Sequence, residues 1–290
     1  MREQPIAPPD PRLVRRAVRA ALEEDGAGRD VTTRSLVPPD QRGGGTIVAK
    51  AAGVVCGLPV AEAAFRLLDR KLTFEALVPD GAAVSPGVLL ARLKGRLAPV
   101  LSAERVALNF LQRLSGIATL TRAHVEAVAG LDVRIVDTRK TTPGLRALER
   151  YAVRAGGGHN HRFNLSDGVL IKDNHLAAAR ARGLTIADVI AQARRAAPHT
   201  LQIEIEVTAV AEAREALAAG ADALLLDNMP IDAMREVVSF AKGRALLEAS
   251  GGVTLQNVRA IAETGVDIIS IGGLTHSAKA LDVSLEIEPR

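Results

Sequence analysis

The stretch LQIEIEVTAVAEAREALAAGADALLLD, residues 201–227, decides the fold. It joins two short apolar runs, LQIEIEV (201–207) and ALLL (223–226), through the amphipathic segment VAEAREALAAG. Short runs rich in apolar residues predict strands, and the amphipathic spacing between them predicts a helix. A strand, a helix and a second strand in this order are typical of a βαβ unit in a parallel sheet.

The same alternation extends in both directions along the chain. Further strands are predicted at VRIV (133–136), GVLI (168–171), ALLEA (245–249) and DIISI (267–271). The last four units follow one another at a nearly constant spacing, which favours a closed barrel over a doubly wound sheet. Six strands are readable in all, so a TIM-like barrel would lack one or two. We therefore predict an incomplete TIM-like α/β barrel over residues 111–276.

The chain before about residue 110 has a different pattern. Asp10 and Pro11 open a predicted helix that ends near Gly26. Between Thr46 and Arg96, short extended runs separated by turn signals flank one helix, AEAAFRLLD. We predict an N-terminal α+β domain over residues 1–110.

Composition excludes several classes of protein. A length of 290 residues suggests about two domains. The single cysteine, Cys56, rules out an intramolecular disulfide and fits a reducing compartment. The longest run without a charged side chain, for example residues 51–61, is too short to cross a bilayer, and MREQPIAPPDPR lacks a signal-type apolar core. We therefore expect a cytoplasmic protein with no membrane partner. Aromatic residues are 2% and the net charge of +4 is interspersed, so we expect no nucleic-acid partner.

Polar or small residues stand where each predicted strand ends. They are Asp137, Lys172, Glu206, Asp227, Ser250-Gly251-Gly252 and Gly272-Gly273. In a β/α barrel these ends converge on one face, where the active sites of such enzymes lie. Asp, Ser and Gly also suit helix starts, but Lys172 and Glu206 are poor caps. The set as a whole predicts a site.

Two of these strand ends point to phosphate and two to a metal ion. The last two predicted strands end in SGG and IGG, where backbone N–H groups can approach an anion ahead of a helix. Glu206 and Asp227 are carboxylates on neighbouring strand ends and suit Mg²⁺, although they could also serve as partners of nearby cations.

The loops at the same face are rich in cations. DTRKTTPGLR (137–146) and GGGHNHR (156–162) supply Arg139, Lys140, His161 and Arg162, to which Lys172 is added. Such groups repel one another, so a multiply charged anion is the simplest explanation for the cluster. A zinc site of His159, His161 and His175 is an alternative.

Taken together, the motifs resemble the quinolinate phosphoribosyltransferase family. They are EEDGAGRDVTT, ERVALNFLQRLSGIAT, DTRKTTPGLR, GGGHNHR, IKDNH, IEIEV, LLLDN, EASGG and GVDIISIGGLTHS, and they span about residues 20–280. The resemblance implies that quinolinate and phosphoribosyl pyrophosphate give nicotinate mononucleotide, pyrophosphate and CO₂ in de novo NAD biosynthesis, with Mg²⁺. It also implies an open-sandwich N-terminal domain, which the C-terminal residues 277–290 join, and a homodimer.

The resemblance further implies a role for each matched residue. The quinolinate-binding residues would be Thr138, Arg139, His161, Arg162 and Lys172, with Arg105 contributed across the dimer interface. The catalytic residues for ribose, pyrophosphate and metal would be Lys140, Glu206 and Asp227, with Glu206 and Asp227 as the metal ligands. The phosphate-binding residues would be Ser250, Gly251, Gly252, Gly272, Gly273 and His276.

Three other functions compete with this interpretation. A molybdenum-transport-associated member of the same family would not need the full set of carboxylate-binding cations. A nicotinate phosphoribosyltransferase binds a monocarboxylate and needs fewer of them. A non-catalytic phosphate-binding barrel would have little use for Glu206 and Asp227.

Overall fold

The computed structural model describes residues 6–289. The first five residues of the predicted N-terminal domain lie outside the described residues, and they are also part of the segment MREQPIAPPDPR on which the expectation about a signal peptide rests. The helices are α1 (Pro11–Glu24), α2 (Val31–Leu36), α3 (Leu58–Leu68), α4 (Leu97–Ala127), α5 (Arg146–Ala155), α6 (Asp173–Arg180), α7 (Ile186–Ala196), α8 (Val210–Ala218), α9 (Ile231–Ala241), α10 (Val258–Ala262) and α11 (Gly273–His276). The strands are β1 (Arg42–Ala49), β2 (Gly53–Val54), β3 (Thr73–Ala76), β4 (Ala83–Val84), β5 (Leu89–Arg96), β6 (Arg134–Val136), β7 (Val169–Ile171), β8 (Ile203–Val207), β9 (Ala223–Asp227), β10 (Leu246–Ser250), β11 (Ile268–Ser270) and β12 (Val283–Pro289). Every helix within residues 6–289 is too short or too polar to span a bilayer.

The chain divides into two compact units. Unit 1 comprises Met1–Arg122, Lys140–Gly157 and Gly273–Arg290, and unit 2 comprises Ala123–Arg139 and Gly158–Gly272. The predicted boundary at residue 110 falls inside α4, a continuous helix of 31 residues. No proline follows the first turn of that helix, so nothing in it ends the hydrogen-bond ladder near residue 110.

Unit 1 contains a four-stranded antiparallel sheet in the order β12-β1-β5-β3. β12 pairs with β1 from Val283 opposite Ala49 to Pro289 opposite Gly43. The end of the chain therefore returns to the N-terminal sheet, as predicted. The buried face of α1, with Val18 fully inaccessible, packs against α3.

Unit 2 contains a six-stranded parallel sheet in the order β6-β11-β10-β9-β8-β7. All six predicted strands are confirmed, and the sheet is open, with β6 and β7 at its edges. A short segment lies along the free edge of β6, since the His159 N–H donates to the Ile135 carbonyl at 2.8 Å and the Asp137 N–H donates to the His159 carbonyl at 3.2 Å. The GGGHNHR loop thus occupies the position beside β6 without forming a strand.

Alternating side chains give β8 one apolar and one polar face. On β8, Ile203, Ile205 and Val207 are fully buried, whereas Glu204 and Glu206 point to the opposite face. The apolar side chains support the helices that connect the strands, and the polar face is left for chemistry. The alternation in IEIEV therefore places apolar side chains on one face of β8 and glutamates on the other.

Two aspartates tie the strands together at the amino end of the sheet. Asp222 Oδ2 accepts the Ile203 N–H at 2.7 Å and is paired with Arg194 at 2.8 Å. Asp267 Oδ2 accepts the Leu247 N–H at 2.8 Å and its other oxygen is paired with Lys242. These carboxylates hold neighbouring strands in register.

Candidate active site

Glu206 and Asp227 lie on the same face at the carboxyl ends of β8 and β9. Glu206 is opposite Leu225 in the register, two residues before Asp227, so alternation along β9 puts both carboxylates on one side. The Lys172 Nζ, beyond the end of β7, lies 3.4 Å from Glu206 Oε2. These three residues therefore lie at the carboxyl end of the sheet, and their roles stay a prediction.

The turn after β10 has a backbone that only glycine adopts easily. Gly251 and Gly252 have φ of +87° and +59°, and a Cβ at Gly251 would overlap the Asn228 side chain. Asn228 is itself the one non-glycine residue with positive φ among residues 6–289, at 51°. Its N–H donates to the Ser250 carbonyl at 2.9 Å, which couples the turn after β9 to the turn after β10. Strain of this kind is concentrated at functional sites.

Two guanidinium groups lie near each other at this end of unit 2. Burial, and then the positive charge of Arg139, lower the pKa of Arg162. Arg162 Nη1 donates to the Gly168 carbonyl at 3.0 Å, which fixes the side chain across its own loop. Neighbouring guanidinium groups suit the binding of a ligand with more than one carboxylate.

His161 contacts protein groups through both ring nitrogens. Nε2 lies 3.1 Å from Glu248 Oε2 and 3.6 Å from Glu204 Oε2, and Nδ1 accepts the Arg162 N–H at 2.8 Å. Burial lowers the pKa of His161, but the two glutamates outweigh burial and raise it. Because a doubly protonated ring could not accept the Arg162 N–H at Nδ1, we assign the neutral tautomer with its proton on Nε2. The contact of His161 with substrate that the resemblance implies stays a prediction.

Asp137 organises the loop that carries His161 and Arg162. It is fully buried at the end of β6, and its carboxylate accepts the His161 N–H at 2.9 Å and an amide proton of Asn160. This strand-end residue therefore holds the loop in place, while Thr138 and Arg139 follow it in the chain.

Of the remaining predicted site residues, Gly272 is the last residue of unit 2, and the others belong to unit 1. The Lys140 carbonyl accepts the Thr275 hydroxyl at 2.7 Å, and Arg105 is exposed on α4. Gly273 and His276 lie in α11, where the exposed His276 has its Nδ1 2.7 Å from the Ser277 hydroxyl.

The loop that follows Lys140 is fixed by Glu149 of α5. Glu149 is fully buried; it is paired with Arg113 at 2.9 Å and accepts the Thr142 N–H at 3.0 Å. Sequence reasoning missed Glu149, because its position inside a predicted helix gives no signal of this contact.

A group of three potential metal ligands is formed by His161, Glu204 and Glu248, whose ligand atoms lie within 4.8 Å of one another. Within the described residues no such group contains His159 or His175, so the three-histidine zinc alternative is not found. His175 instead accepts the Lys172 N–H through Nδ1 at 2.9 Å.

Three residues on the polar face were missed by the sequence interpretation, namely Glu204, Asn228 and Glu248. Glu204 and Glu248 are acidic residues inside otherwise apolar strands, and that interruption is a signal the sequence contains. Burial, and then the negative charge of Glu248, raise the pKa of Glu204 to about 8. Asn228 directly follows Asp227 in the string LLLDN.

An open parallel sheet with cations, carboxylates and a glycine turn at the carboxyl ends of its strands is the arrangement of an incomplete α/β-barrel enzyme that acts on anionic substrates. Two family models match the chain, the quinolinate phosphoribosyl transferase N-terminal domain over residues 30–115 and the C-terminal domain over residues 117–286. The chain belongs to the quinolinate phosphoribosyl transferase family.

Individual relatives agree with this assignment. The chain is 46% identical to a probable nicotinate-nucleotide pyrophosphorylase [carboxylating] of Bacillus subtilis, covering 92% of this chain and 90% of that protein. It is 41% identical to a nicotinate-nucleotide pyrophosphorylase [carboxylating] of Mycobacterium leprae, covering 94% and 96%. The crystal structure of NadC from Streptococcus pyogenes matches with a TM-score of 0.93 at 40% identity, covering 98% of this chain and 99% of that chain.

Proposed function

We propose that this chain transfers the phosphoribosyl group of phosphoribosyl pyrophosphate to quinolinate, giving nicotinate mononucleotide, pyrophosphate and CO₂ in the synthesis of NAD. The observation that carries the proposal is the arrangement at the carboxyl ends of the strands, where the Lys172 Nζ lies 3.4 Å from Glu206 and Asp227 shares the face of Glu206. Arg139 and Arg162 lie in loops of the same unit, and the positive charge of Arg139 lowers the pKa of Arg162. A dicarboxylate needs paired cations, and an activated sugar phosphate needs a polar, anion-binding turn such as Ser250–Gly252.

The proposed reaction needs positioned charge and no covalent intermediate. The pyridine nitrogen forms a bond to ribose carbon 1 as the bond from that carbon to pyrophosphate breaks. The ring carboxylate at carbon 2 then leaves as CO₂, and a proton takes its place. Lys140, the residue after Arg139, supplies positive charge for the negative charge that grows on the leaving pyrophosphate. Arg139, Arg162 and Lys172 hold the carboxylates while the ring nitrogen acquires its positive charge.

The residues at the carboxyl end fit a magnesium ion. Glu206 and Asp227 offer hard carboxylate oxygens on one face of the sheet, and their protein contacts are with Lys172 at 3.4 Å and with the Asn228 amide at 2.9 Å. When bound, Mg²⁺ supplies positive charge that stabilises the pyrophosphate leaving group. The group of His161, Glu204 and Glu248 lies deeper in the strands and is a separate feature.

A direct assay tests the proposed function. The protein is incubated with quinolinate, phosphoribosyl pyrophosphate and Mg²⁺, and nicotinate mononucleotide is sought by mass spectrometry. We expect the mononucleotide and one equivalent of CO₂. Nicotinate in place of quinolinate should give no product, because it lacks the carboxylate at ring carbon 2 that the cations bind in quinolinate. Turnover of nicotinate without CO₂, or of neither compound, would contradict the proposal.

We also propose a homodimer in which Arg105 acts in the active site of the other subunit. The support is the resemblance of the ERVALN string, together with the exposure of Arg105 on α4. Mixing Arg105→Ala chains with Lys140→Ala chains should restore about a quarter of the wild-type rate, since half of randomly formed dimers are mixed and each has one intact site. Mixed dimers verified by mass that remain as inactive as either parent would contradict the shared site.

The cytoplasmic location stays a prediction, and the single cysteine, Cys56, lies in the interior of unit 1. This thiol is fully buried, and burial, followed by the negative charge of Asp80, raises its pKa well above the ordinary value. A buried, protonated thiol neither forms disulfides nor acts as a nucleophile, so Cys56 has no part in the proposed chemistry.

A further inference from the structure

Two buried glutamates lie on the polar face of the parallel sheet without a role in the reaction described above. The side chain of Glu248 is 2% exposed and that of Glu204 is 13% exposed. Placing carboxylates in the interior costs free energy that apolar residues of the same size would avoid. Their presence in the strands LLEAS and IEIEV therefore calls for a specific partner.

Both carboxylates meet the same imidazole ring. Glu248 accepts the Nε2–H of His161 at 3.1 Å, and Glu204 lies 3.6 Å from the same nitrogen. On the other side of the ring, Nδ1 accepts the Arg162 N–H at 2.8 Å, and the His161 N–H is bound by Asp137 at 2.9 Å. The ring is thus fixed between the strands and the backbone of the next residue.

We propose that Glu248, assisted by Glu204, is a positioning residue that fixes the His161 ring and, through it, the backbone from which Arg162 reaches the substrate. The proposal rests on the function proposed above, in which Arg162 binds a carboxylate of quinolinate. If Glu248 is removed, Nε2 loses its acceptor at 3.1 Å and keeps only the longer contact with Glu204 at 3.6 Å among these two carboxylates, so the ring is held less firmly and the hydrogen bond from the Arg162 N–H to Nδ1 weakens. A displacement of a substrate-binding group by about 1 Å is enough to weaken catalysis strongly.

The test compares three variants in steady-state kinetics. Glu248→Leu removes the acceptor but keeps the volume, whereas Glu248→Gln keeps an oxygen that accepts the Nε2–H. Asp222→Asn, at the opposite end of the strands, controls for general damage to unit 2. We expect Glu248→Leu to raise the KM for quinolinate about tenfold or more, with the KM for phosphoribosyl pyrophosphate within about threefold of wild type. Glu248→Gln and Asp222→Asn should keep both KM values within about threefold.

Three results would overturn the proposal. The first is a quinolinate KM for Glu248→Leu that equals that of Glu248→Gln. The second is an equal rise in both KM values. The third is one equivalent of a transition metal in the purified wild-type protein that disappears in Glu248→Leu, which would make the three side chains a metal site. If Glu248→Leu does not fold, Glu204→Leu takes its place in the same comparison.

A spectroscopic readout separates this proposal from the proposed function. In protein labelled with ¹⁵N-histidine, the His161 signal, identified by its loss in His161→Asn, should show the proton on Nε2 and a bare Nδ1 without any substrate present. Glu248→Gln should keep this tautomer, and Glu248→Leu should give exchange between the two forms. A wild-type proton on Nδ1 would refute the positioning contact, whereas failure to convert quinolinate would refute the proposed function alone.

Discussion

The amino and carboxyl ends of the six-stranded sheet both carry acidic side chains, but their contacts differ. At the amino end, Asp222 and Asp267 accept backbone N–H groups of neighbouring strands at 2.7 and 2.8 Å and are paired with cations. At the carboxyl end, Glu206 has the Lys172 ammonium group at 3.4 Å, and Asp227 accepts a hydrogen bond from the side-chain amide of the adjacent Asn228 at 2.9 Å. The carboxylates at the amino end stabilise the fold, and those at the carboxyl end keep oxygens available for a ligand.

Residue type alone therefore does not distinguish a structural Asp or Glu from a functional one. Asp222 and Asp267 directly precede β9 and β11, whereas Glu206 and Asp227 are among the last residues of β8 and β9. The position of the carboxylate along the strand distinguishes the two roles, because loops at the carboxyl end of such barrels build the active site and the amino end contributes stability. Mutations at either end of the sheet test this difference between structural and functional residues.

The largest effect is expected for Arg162→Ala at the carboxyl end. Removal of one partner of a desolvated charge pair costs about 3–5 kcal/mol, or roughly 10²–10³-fold in affinity. Isothermal titration with quinolinate measures the loss, and Asp222→Asn serves as the matched control with wild-type affinity. Binding by Arg162→Ala within a few-fold of wild type would remove Arg162 from the carboxylate site.

A smaller effect is expected for Gly251→Ala. Its φ of +87° is unfavourable for alanine, and the added methyl group overlaps Asn228, so the turn must move. We expect the KM for phosphoribosyl pyrophosphate to rise about tenfold, since a strain of 1–3 kcal/mol corresponds to about that factor, with the KM for quinolinate little changed. Gly183→Ala has a similar φ of +78° in open space and is the control for backbone strain alone. Equal kinetics for the two variants would show that the turn does not bind phosphate.

The smallest effect on activity is expected for Asp222→Asn at the amino end. The amide keeps the hydrogen bond to Ile203 in one rotamer but loses the charge opposite Arg194, so unfolding should be easier by about 1 kcal/mol. Chemical denaturation measures this change, and kcat and both KM values should remain those of wild type. A change in kinetics larger than the change in stability would contradict the division between the two ends.

Much of this architecture could be predicted from the sequence, because strand and helix periods are local. All six parallel strands and the strand-end residues Lys172, Glu206 and Asp227 were predicted from such patterns. The domain boundary at residue 110 was predicted from a change in composition, and such a change gives no sign that one helix, α4, runs continuously across it.

The contacts of His161 could not be predicted in the same way. They depend on how the GGGHNHR loop crosses the edge of β6 and on which strand lies beside which, and both are set by tertiary packing. The alternation of IEIEV indicates that Glu204 shares a face with Glu206, but the sequence does not show which ring it meets. The same limit explains why Asn228 and Glu149 were missed.

A crystal structure of the protein with quinolinate tests the central claim most directly. The account predicts the two carboxylates within hydrogen-bond distance of the Arg139 and Arg162 guanidinium groups at the carboxyl end of the sheet, with His161 still bound to Glu248. Quinolinate bound at the amino end, or at the carboxyl end without contact to either arginine, would contradict it.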